Sequence, residues 1–393
     1  MRVAIAGAGI GGMTLAALLD RSGHDVVLVE QSAGFAEVGA GIQISPNGTR
    51  VLGSIGLADD LARIGTTPKR IVLRRWEDDS ELLVQPLGDR PVERYGHPYY
   101  NVYRPDLVDA LTGALAGVEI RFGVAVAGAS TIDAGAALDL TDGTRITADV
   151  VVGADGIHSS VRRSLFGDRP SRFSRSVAYR ALVPRVAVPD QPIEVTNRMG
   201  PDRHLVSYLV GEGQRYLNLV CVFPEATWEA EGWNELGSTD ELRRQFVGWS
   251  SALQAILGHV TDPVYRWALH DRTPLERWTS GRVTLLGDAC HPMLPFMAQG
   301  ACQAIEDAAI LARLLTASGP GEVDHAIERY ETIRRPRAAE LQHRSFRNAT
   351  TYHLADGAEQ RTRDELLASV SHADGEAAFD WLYGYDPLTA PLD

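Results

Sequence analysis

Apolar and polar positions alternate along this chain in two styles. Near the start, Arg2-Val-Ala-Ile-Ala6 is a short apolar run, Gly7–Gly12 is glycine-rich, Met13–Asp20 carries apolar residues at helical spacing and stops near Gly23, and Asp25-Val-Val-Leu-Val-Glu30 is β-branched and apolar again. That order predicts strand, tight turn, helix and strand, a βαβ unit whose unbroken apolar strands imply a parallel sheet covered on both faces. The same style is expected at 101–165: a helix opened by Pro105 over Asp106–Leu115, β alternation across 119–152 and a strand at Asp149–Gly153. It returns at Arg282–Leu286, ahead of a long helix from about Ile305. Between about 175 and 270 the runs are longer and richer in aromatics, and Gly211-Glu-Gly213-Gln separates Arg203–Val210 from Arg215–Phe223 as a hairpin would. A parallel α/β unit interrupted by an antiparallel sheet follows from this alternation of styles. The last fifty residues read as helical and peripheral.

Length and composition narrow the picture. The chain has 393 residues, of which 45% are hydrophobic, 23% charged and 7% aromatic, values of ordinary globular domains rather than of disordered or fibrous chains. Residues Val3–Leu19 are nearly uncharged, but Gly7, Gly9, Gly11 and Gly12 break them, which argues against a signal peptide. No unbroken apolar run of about 18 residues occurs, so no membrane-spanning helix is expected. Lys and Arg number 38 against 51 Asp and Glu, a formal charge of −13, which disfavours nucleic acid and anionic membrane as partners. An acidic ligand would have to be met by a local cluster of donors. Three cysteines, Cys221, Cys290 and Cys302, have no metal-ligand spacing and suit reduced thiols in a cytoplasmic setting. No metal is expected.

Three strand ends carry candidate chemistry. Gly7-Ala-Gly9-Ile-Gly11-Gly12 contains GxGxxG between strand and helix, where the first glycine allows the turn, the second lets backbone approach a pyrophosphate and the third lets helix pack on strand. The free N–H groups of the following helix face the phosphates. Glu30, with Gln31 beside it, ends the next strand where an acid meets a ribose. This motif alone does not separate NAD from FAD. Far downstream, Arg282-Val-Thr-Leu-Leu-Gly287-Asp288-Ala ends another strand, followed by His291-Pro-Met-Leu-Pro295 and Gln299-Gly300-Ala301. A flavin extends well beyond its ADP half and has a use for both: Asp288 for ribityl hydroxyls, and the helix opening at Gly300 and Ala301 for the edge of the reduced ring. A third strand end, Gly153-Ala-Asp155-Gly156-Ile-His158-Ser159-Ser160-Val-Arg162, precedes a helix capped by serine.

In order and spacing these segments resemble the single-component FAD-dependent aromatic hydroxylases: GxGxxG at Gly7–Gly12, DGxxSxxR at Asp155–Arg162 and GDAxHxxxP at Gly287–Pro295. Val38-Gly-Ala-Gly-Ile-Gln-Ile-Ser-Pro-Asn47, His291–Gly300 and the closing Asp380-Trp-Leu-Tyr-Gly-Tyr385 are similar to the branch holding 6-hydroxynicotinate 3-monooxygenase, salicylate hydroxylase and 3-hydroxybenzoate 6-hydroxylase. The resemblance implies an α/β fold: a Rossmann-like FAD-binding domain (1–72, 98–175 and 272–343), an inserted antiparallel β-sheet substrate domain (73–97 and 176–271) and a C-terminal helical segment (344–393). It implies FAD as cofactor and NADH or NADPH as transient co-substrate. The expected chemistry is hydroxylation of a small aromatic acid with O2 through a flavin C4a-hydroperoxide, with or without decarboxylation, in a monomer or homodimer. A tailoring hydroxylase or epoxidase of larger aromatics is the alternative. Arg104 is expected to reach the FAD, Asp155 and Arg162 to serve FAD and NAD(P)H, Pro295 to lie beside the reactive flavin edge, and Arg180 near the isoalloxazine and substrate.

On the substrate side, residues two apart in a strand share a face, so His204, Val206 and Tyr208 point the same way. The resemblance makes His204 and Tyr208 substrate contacts and the base system for a phenolic hydroxyl, with His204 titrating near neutrality. Two histidines that line the pocket of the 6-hydroxynicotinate enzymes correspond here to Gln43 and Phe296, which shifts the expectation from a pyridine toward a hydroxybenzoate. Gln43 is thus a candidate catalytic and cofactor contact, and Phe296 a substrate contact.

Overall fold

The computed structural model describes residues 1–35, 40–133, 135–168, 171–228, 235–319 and 321–392. Val38 and Gly39 of the Val38–Asn47 motif lie outside them.

Four consecutive apolar strands, Arg2–Ala6, Asp25–Glu30, Val150–Gly153 and Val283–Leu285, join Glu119–Phe122 and a short edge at Thr279–Ser280 in a six-stranded sheet. Its order is 279–280, 283–285, 150–153, 2–6, 25–30, 119–122, and every pairing is parallel except the edge. Helices Ile10–Arg21 and Gly300–Ala317 pack against one another over this sheet. Gly11 makes that approach possible, since a Cβ there would stand 2.6 Å from Leu286 Cδ2 and 2.9 Å from Ala304 Cβ. The helix begins at Gly300, ahead of the start expected near Ile305, and already buries Cys302 and Gln303 in its first turn. The first helix likewise starts at Ile10, inside the glycine run.

Residues 126–148 add a three-stranded antiparallel sheet. The second large sheet has eight strands in the order 235–237, 264–271, 172–184, 216–224, 203–210, 195–200, 70–75 and 81–86. All its pairings are antiparallel except Val195–Gly200 with Arg70–Arg75. The expected hairpin is present, with Val210 opposite Tyr216. One face of this sheet, carrying Val177, Tyr179, Leu205, Leu209, Leu219 and Phe223, buries against Leu242, Phe246, Leu253 and Leu257. The opposite face is left for the rest of the molecule. A small sheet of Gly41–Ile44, Tyr100–Tyr103 and Gly65–Thr66 stands against it.

The C-terminal residues are helical, with helices at Val323–Tyr352, Ala358–Ser369 and His372–Tyr383. They are not peripheral, contrary to the sequence expectation. Leu341, Leu382 and Tyr383 are buried with Leu87 and Tyr99, and Tyr352 packs against the large antiparallel sheet. The inward faces of these helices mix aliphatics such as Ile327, Leu341 and Leu382 with buried polar residues such as Arg334, Gln342 and Arg363, which blurs their hydrophobic period. Among the described residues no helix is long and apolar enough to cross a membrane.

Candidate active site

The residues expected at the cofactor come together around the carboxyl ends of the parallel strands. Gly7 adopts φ +98° and a Cβ at Gly12 would stand 2.1 Å from Gly7 O, so both glycines serve the turn itself. Gly9 is exposed and a Cβ there would meet nothing within 4 Å. The space before the helix N-terminus is therefore open, as a pyrophosphate requires. Glu30 Oε2 accepts from the Ala8 N–H at 3.0 Å and Oε1 from Ser32 N–H at 2.9 Å, which aims the carboxylate beside the loop while leaving each oxygen a lone pair. Gln31 follows on the exposed side.

Asp288 is open to solvent, yet loss of surrounding water raises its carboxyl above the usual range, with His291 and Arg104 opposing. An exposed acid that is nonetheless poorly hydrated stands in a concavity. Arg104 lies near enough to act electrostatically on both Asp288 and Arg180. Pro295 is exposed, and Gly300 and Ala301 open the helix whose first turn holds no acidic residue. These observations fit a bound dinucleotide: an open glycine cradle, an acid aimed at a ribose and a second acid in a hollow toward a helix N-terminus.

Asp155 and Arg162 also organise the protein itself at the central strand end. Asp155 accepts from Ser159 Oγ and from the N–H groups of Ser160 (2.8 Å) and Val161 (3.2 Å), and so caps its own helix. Arg162 is buried, pushed down to about 10 by desolvation, and donates to the carbonyls of Ile157 (2.9 Å) and Ala289 (3.3 Å). Arg162 thus ties the central strand end to the late one.

Behind the strand end bearing Asp288 lies an ionic network that sequence reasoning missed. Arg334 donates to Asp307 Oδ1 (2.7 Å), Glu306 Oε2 (2.6 Å) and Gln303 Oε1 (2.7 Å), and all four residues are fully buried. Asp307 also accepts from Gly287 N–H at 3.1 Å and bonds His291 Nε2 at 2.5 Å. Burial pushes the Asp307 carboxyl up, but His291 and Arg334 override it and hold it at about 2. Glu306 accepts from Asn47 (2.6 Å) and Arg337 (2.7 Å), and Arg337 reaches the carbonyls of Trp381 and Leu382. The closing Trp381–Tyr385 motif is thereby fastened over the network, with Tyr385 4.2 Å from the Arg337 guanidinium. Cys290, His291 and Asp307 bring ligand-type atoms within 4.8 Å of one another. Asp307 and His291 bond each other, and burial pushes the Cys290 thiol well up. An acidic pair inside the apolar run Ile305–Leu315 was the available signal.

On the substrate side the ladder registers place nine residues on one face in three rows: His204, Val222, Ala178; Val206, Val220, Arg180; Tyr208, Asn218, Leu182. Rows lie about 7 Å apart and strands about 4.8 Å. His204 and Tyr208 share the face, as expected, but stand roughly 13 Å apart along the strand, too far for one to pass a proton to the other. The His204 end is aromatic, with its ring 5.1 Å from Phe296 and 5.4 Å from Tyr352. His204 does not titrate near neutrality: burial, reinforced by His353, pushes it well below. Burial pushes Tyr208 up to about 12.

The other end is rich in donors. Asn218 Oδ1 accepts from Gly41 N–H at 2.7 Å, and Arg180 donates to Gly41 O at 3.1 Å while lying 4.6 Å from the Trp267 ring. A Cβ on Gly41 would stand 2.6 Å from Tyr208, so the small sheet presses directly on this face. Gln43 shares Gly41's face, and its cross-strand partner Asn101 pairs in turn with Thr66. Gln43 Nε2, Asn101 Nδ2, Asn218 Nδ2 and Arg180 Nε are all buried without a hydrogen-bond partner. Such orphans each cost about 1–3 kcal/mol and are retained where a ligand satisfies them. Asn218 and Asn101 were not anticipated, although an asparagine within the apolar run Leu217–Phe223 was a visible anomaly.

Residues 1–345 match the family model described as FAD binding domain. A 3-amino-4-hydroxybenzoate 2-monooxygenase of Streptomyces platensis is 41% identical over 390 residues, 98% of this chain and 96% of that one. A 6-hydroxynicotinate 3-monooxygenase of Bordetella bronchiseptica is 35% identical over 394 residues, 100% of this chain and 97% of that one. A salicylate hydroxylase in complex with substrate has the same fold, with TM-score 0.83, 27% identity, and coverage of 98% of this chain and 96% of that one.

Two substitutions separate cradle from scaffold. Gly9→Val is expected to fold with an unchanged far-ultraviolet spectrum but to purify without flavin absorbance, because only the ligand's backbone approach is blocked. Gly12→Val is expected to lose folded yield as well. Arg334→Met, which takes the shared guanidinium away from two buried carboxylates, is expected to lower stability by about 3–5 kcal/mol in denaturant unfolding.

Proposed function

The chain belongs to the FAD-binding-domain family and is an FAD-dependent monooxygenase, and on that premise we propose that it hydroxylates a small benzoic acid whose hydroxyl lies para to the carboxylate, of the 3-amino-4-hydroxybenzoate type. One observation carries the proposal: the sheet face sets His204 at one end and Asn218 at the other across a floor of Val206 and Val220, with Arg180 flanking that floor and reaching the Gly41 carbonyl. His204 and Arg180 stand roughly 12 Å apart between Cα atoms on this grid, an interval for one ring and two side chains. An ortho-hydroxy acid presents both groups on one side and would satisfy one end alone. The donor cluster of Arg180, Asn218, Gln43 and Asn101 suits the carboxylate. The resemblance to the 3-amino-4-hydroxybenzoate enzyme at 41% identity supports the same geometry, and Gln43 and Phe296 provide no imidazole for a pyridine nitrogen.

When bound, the flavin supplies the electrons taken from NADH or NADPH and the oxygen atom taken from O2. The chain's own residues do the rest. Glu30, the glycine cradle, Asp288 and the helix opening at Gly300 would hold the dinucleotide, with Arg104 acting on both Asp288 and Arg180. We assign 1–72, 98–175 and 272–343 to that task, and 73–97 and 176–271 to the substrate, with strands Arg70–Arg75 and Arg172–Pro184 of the large sheet crossing the boundaries. Pro295 and Phe296 close the site over His204, excluding water from the reacting ring. His204, neutral because it is buried, accepts the phenolic proton at Nε2, and the phenolate so formed donates electron density into ring carbons ortho and para to oxygen. Tyr208, kept protonated by burial, donates rather than relays.

A panel of 3-amino-4-hydroxybenzoate, 4-hydroxybenzoate, 3-hydroxybenzoate, salicylate and 6-hydroxynicotinate tests the proposal by stimulated NAD(P)H oxidation with mass-spectrometric detection of hydroxylated product. The para-hydroxylated acids are expected to turn over fastest; product from salicylate alone would overturn the proposal. Arg180→Ala is expected to raise KM for the preferred acid about 10- to 100-fold, the worth of a charged hydrogen bond, while FAD content stays at one per chain.

A further inference from the structure

The long C-terminal helix delivers a second imidazole to the substrate face. His353 caps helix Val323–Tyr352, and its Nε2 lies 2.7 Å from His204 Nδ1, with ring centroids 4.9 Å apart. This bond occupies Nδ1 and leaves Nε2 as the one nitrogen of His204 available to a substrate. The two rings differ in surroundings. His204 is 2% exposed, between Phe296 and Tyr352, with Met199 and Val222 opposite it on the neighbouring strands. His353 is half-buried, its carbonyl accepts from the Asp202 N–H at 3.1 Å, and Asp202 and Arg203 act on its ring from the turn below. Tyr352 is the titratable group facing the pair from the helix. One imidazole thus faces the buried floor and the other the protein surface.

We propose that His353 is a positioning and relay residue for His204, the exit by which the substrate's phenolic proton reaches solvent. The inference rests on the hydroxylation proposed above. His353 Nε2 accepts from His204 Nδ1–H, which fixes the tautomer with a bare Nε2 toward the substrate. The substrate O–H bond breaks with its electron pair left on oxygen, and the proton bonds to His204 Nε2. The Nδ1 proton of His204 moves to His353 Nε2, and the Nδ1 proton of His353 leaves to water beside Asp202. Return of one proton along this path to the product restores both tautomers. Burial pushes His353 down to about 4 and His204 lower than its usual value as well, so neither ring stores the charge and the pair remains a conductor at neutral pH. In the unfolded chain both would titrate near 6.5. Folding therefore excludes protons that the unfolded state binds, and stability is lost as pH falls from about 6.5 toward 4.

Holoenzyme labelled with ¹⁵N-histidine tests the positioning without any substrate. His204, assigned by its disappearance in His204→Ala, is expected to show a protonated Nδ1 and a bare Nε2. His353→Leu is expected to mix its tautomers, and His353→Gln, whose carbonyl can accept the same bond, to restore them. Turnover of 3-amino-4-hydroxybenzoate tests the relay. Both variants are expected to lose at least about tenfold in kcat near neutral pH, with KM within twofold and full FAD, and to regain wild-type rate above the phenol's own pKa, where no proton need leave. His204 nitrogen shifts unchanged in His353→Leu would overturn the proposal, as would a deficit independent of pH. If the wild-type enzyme leaves this acid untouched, the substrate assignment fails while the nitrogen shifts still decide the pairing.

Discussion

A guanidinium with no access to water sits where three separated stretches of chain must meet. Arg334 and its two acidic partners are all fully buried, and a buried ion pair of this kind is seldom worth more than a well-packed apolar substitute. Its value lies in register. Through Asp307 it holds Gly287 and His291, through Glu306 it holds Asn47, and through Arg337 it holds the C-terminal turn. A slip by one residue in any of these segments would leave a charge unpaired in the interior, so the strand end with Asp288 and the helix opening at Gly300 are fixed relative to the small sheet bearing Gln43.

The substrate face depends on that alignment. The eight-stranded sheet commits one face to its own helices and leaves the other to be completed from outside by Gly41, Phe296, Tyr352 and His353, contributed by three distant parts of the sequence. Electrostatics follow the same division. A chain of formal charge −13 concentrates buried, unpaired donors at one end of this face, so an anion meets local attraction within a repelling surface.

What could be read beforehand tracks the physics that sets each feature. The parallel sheet and its glycine turn were legible because local steric demands impose them on consecutive residues. His204 and Tyr208 were placed on a common face by strand periodicity alone. Their separation, the depressed titration of His204 and the capping task of Asp155 were not legible, because each depends on neighbours remote in sequence. His353 left no trace: a lone histidine beyond a helix of weak amphipathicity looks like any surface residue until the helix is docked. Arg334, Glu306 and Asp307 were legible only as anomalies, charges where the surrounding period demanded aliphatics.

The three-by-three arrangement on the sheet has a bearing on how such catalysts diversify. Its rows are held by backbone ladders, indifferent to which side chain each position carries. Trading Val206, Val220 or Val222 for larger or smaller neighbours would resize the bay for a new ring while the prosthetic machinery stayed untouched. Selectivity in this architecture is thus cheap to rewrite and oxygen chemistry is costly to disturb, an asymmetry that favours lineages sharing one engine and many fuels.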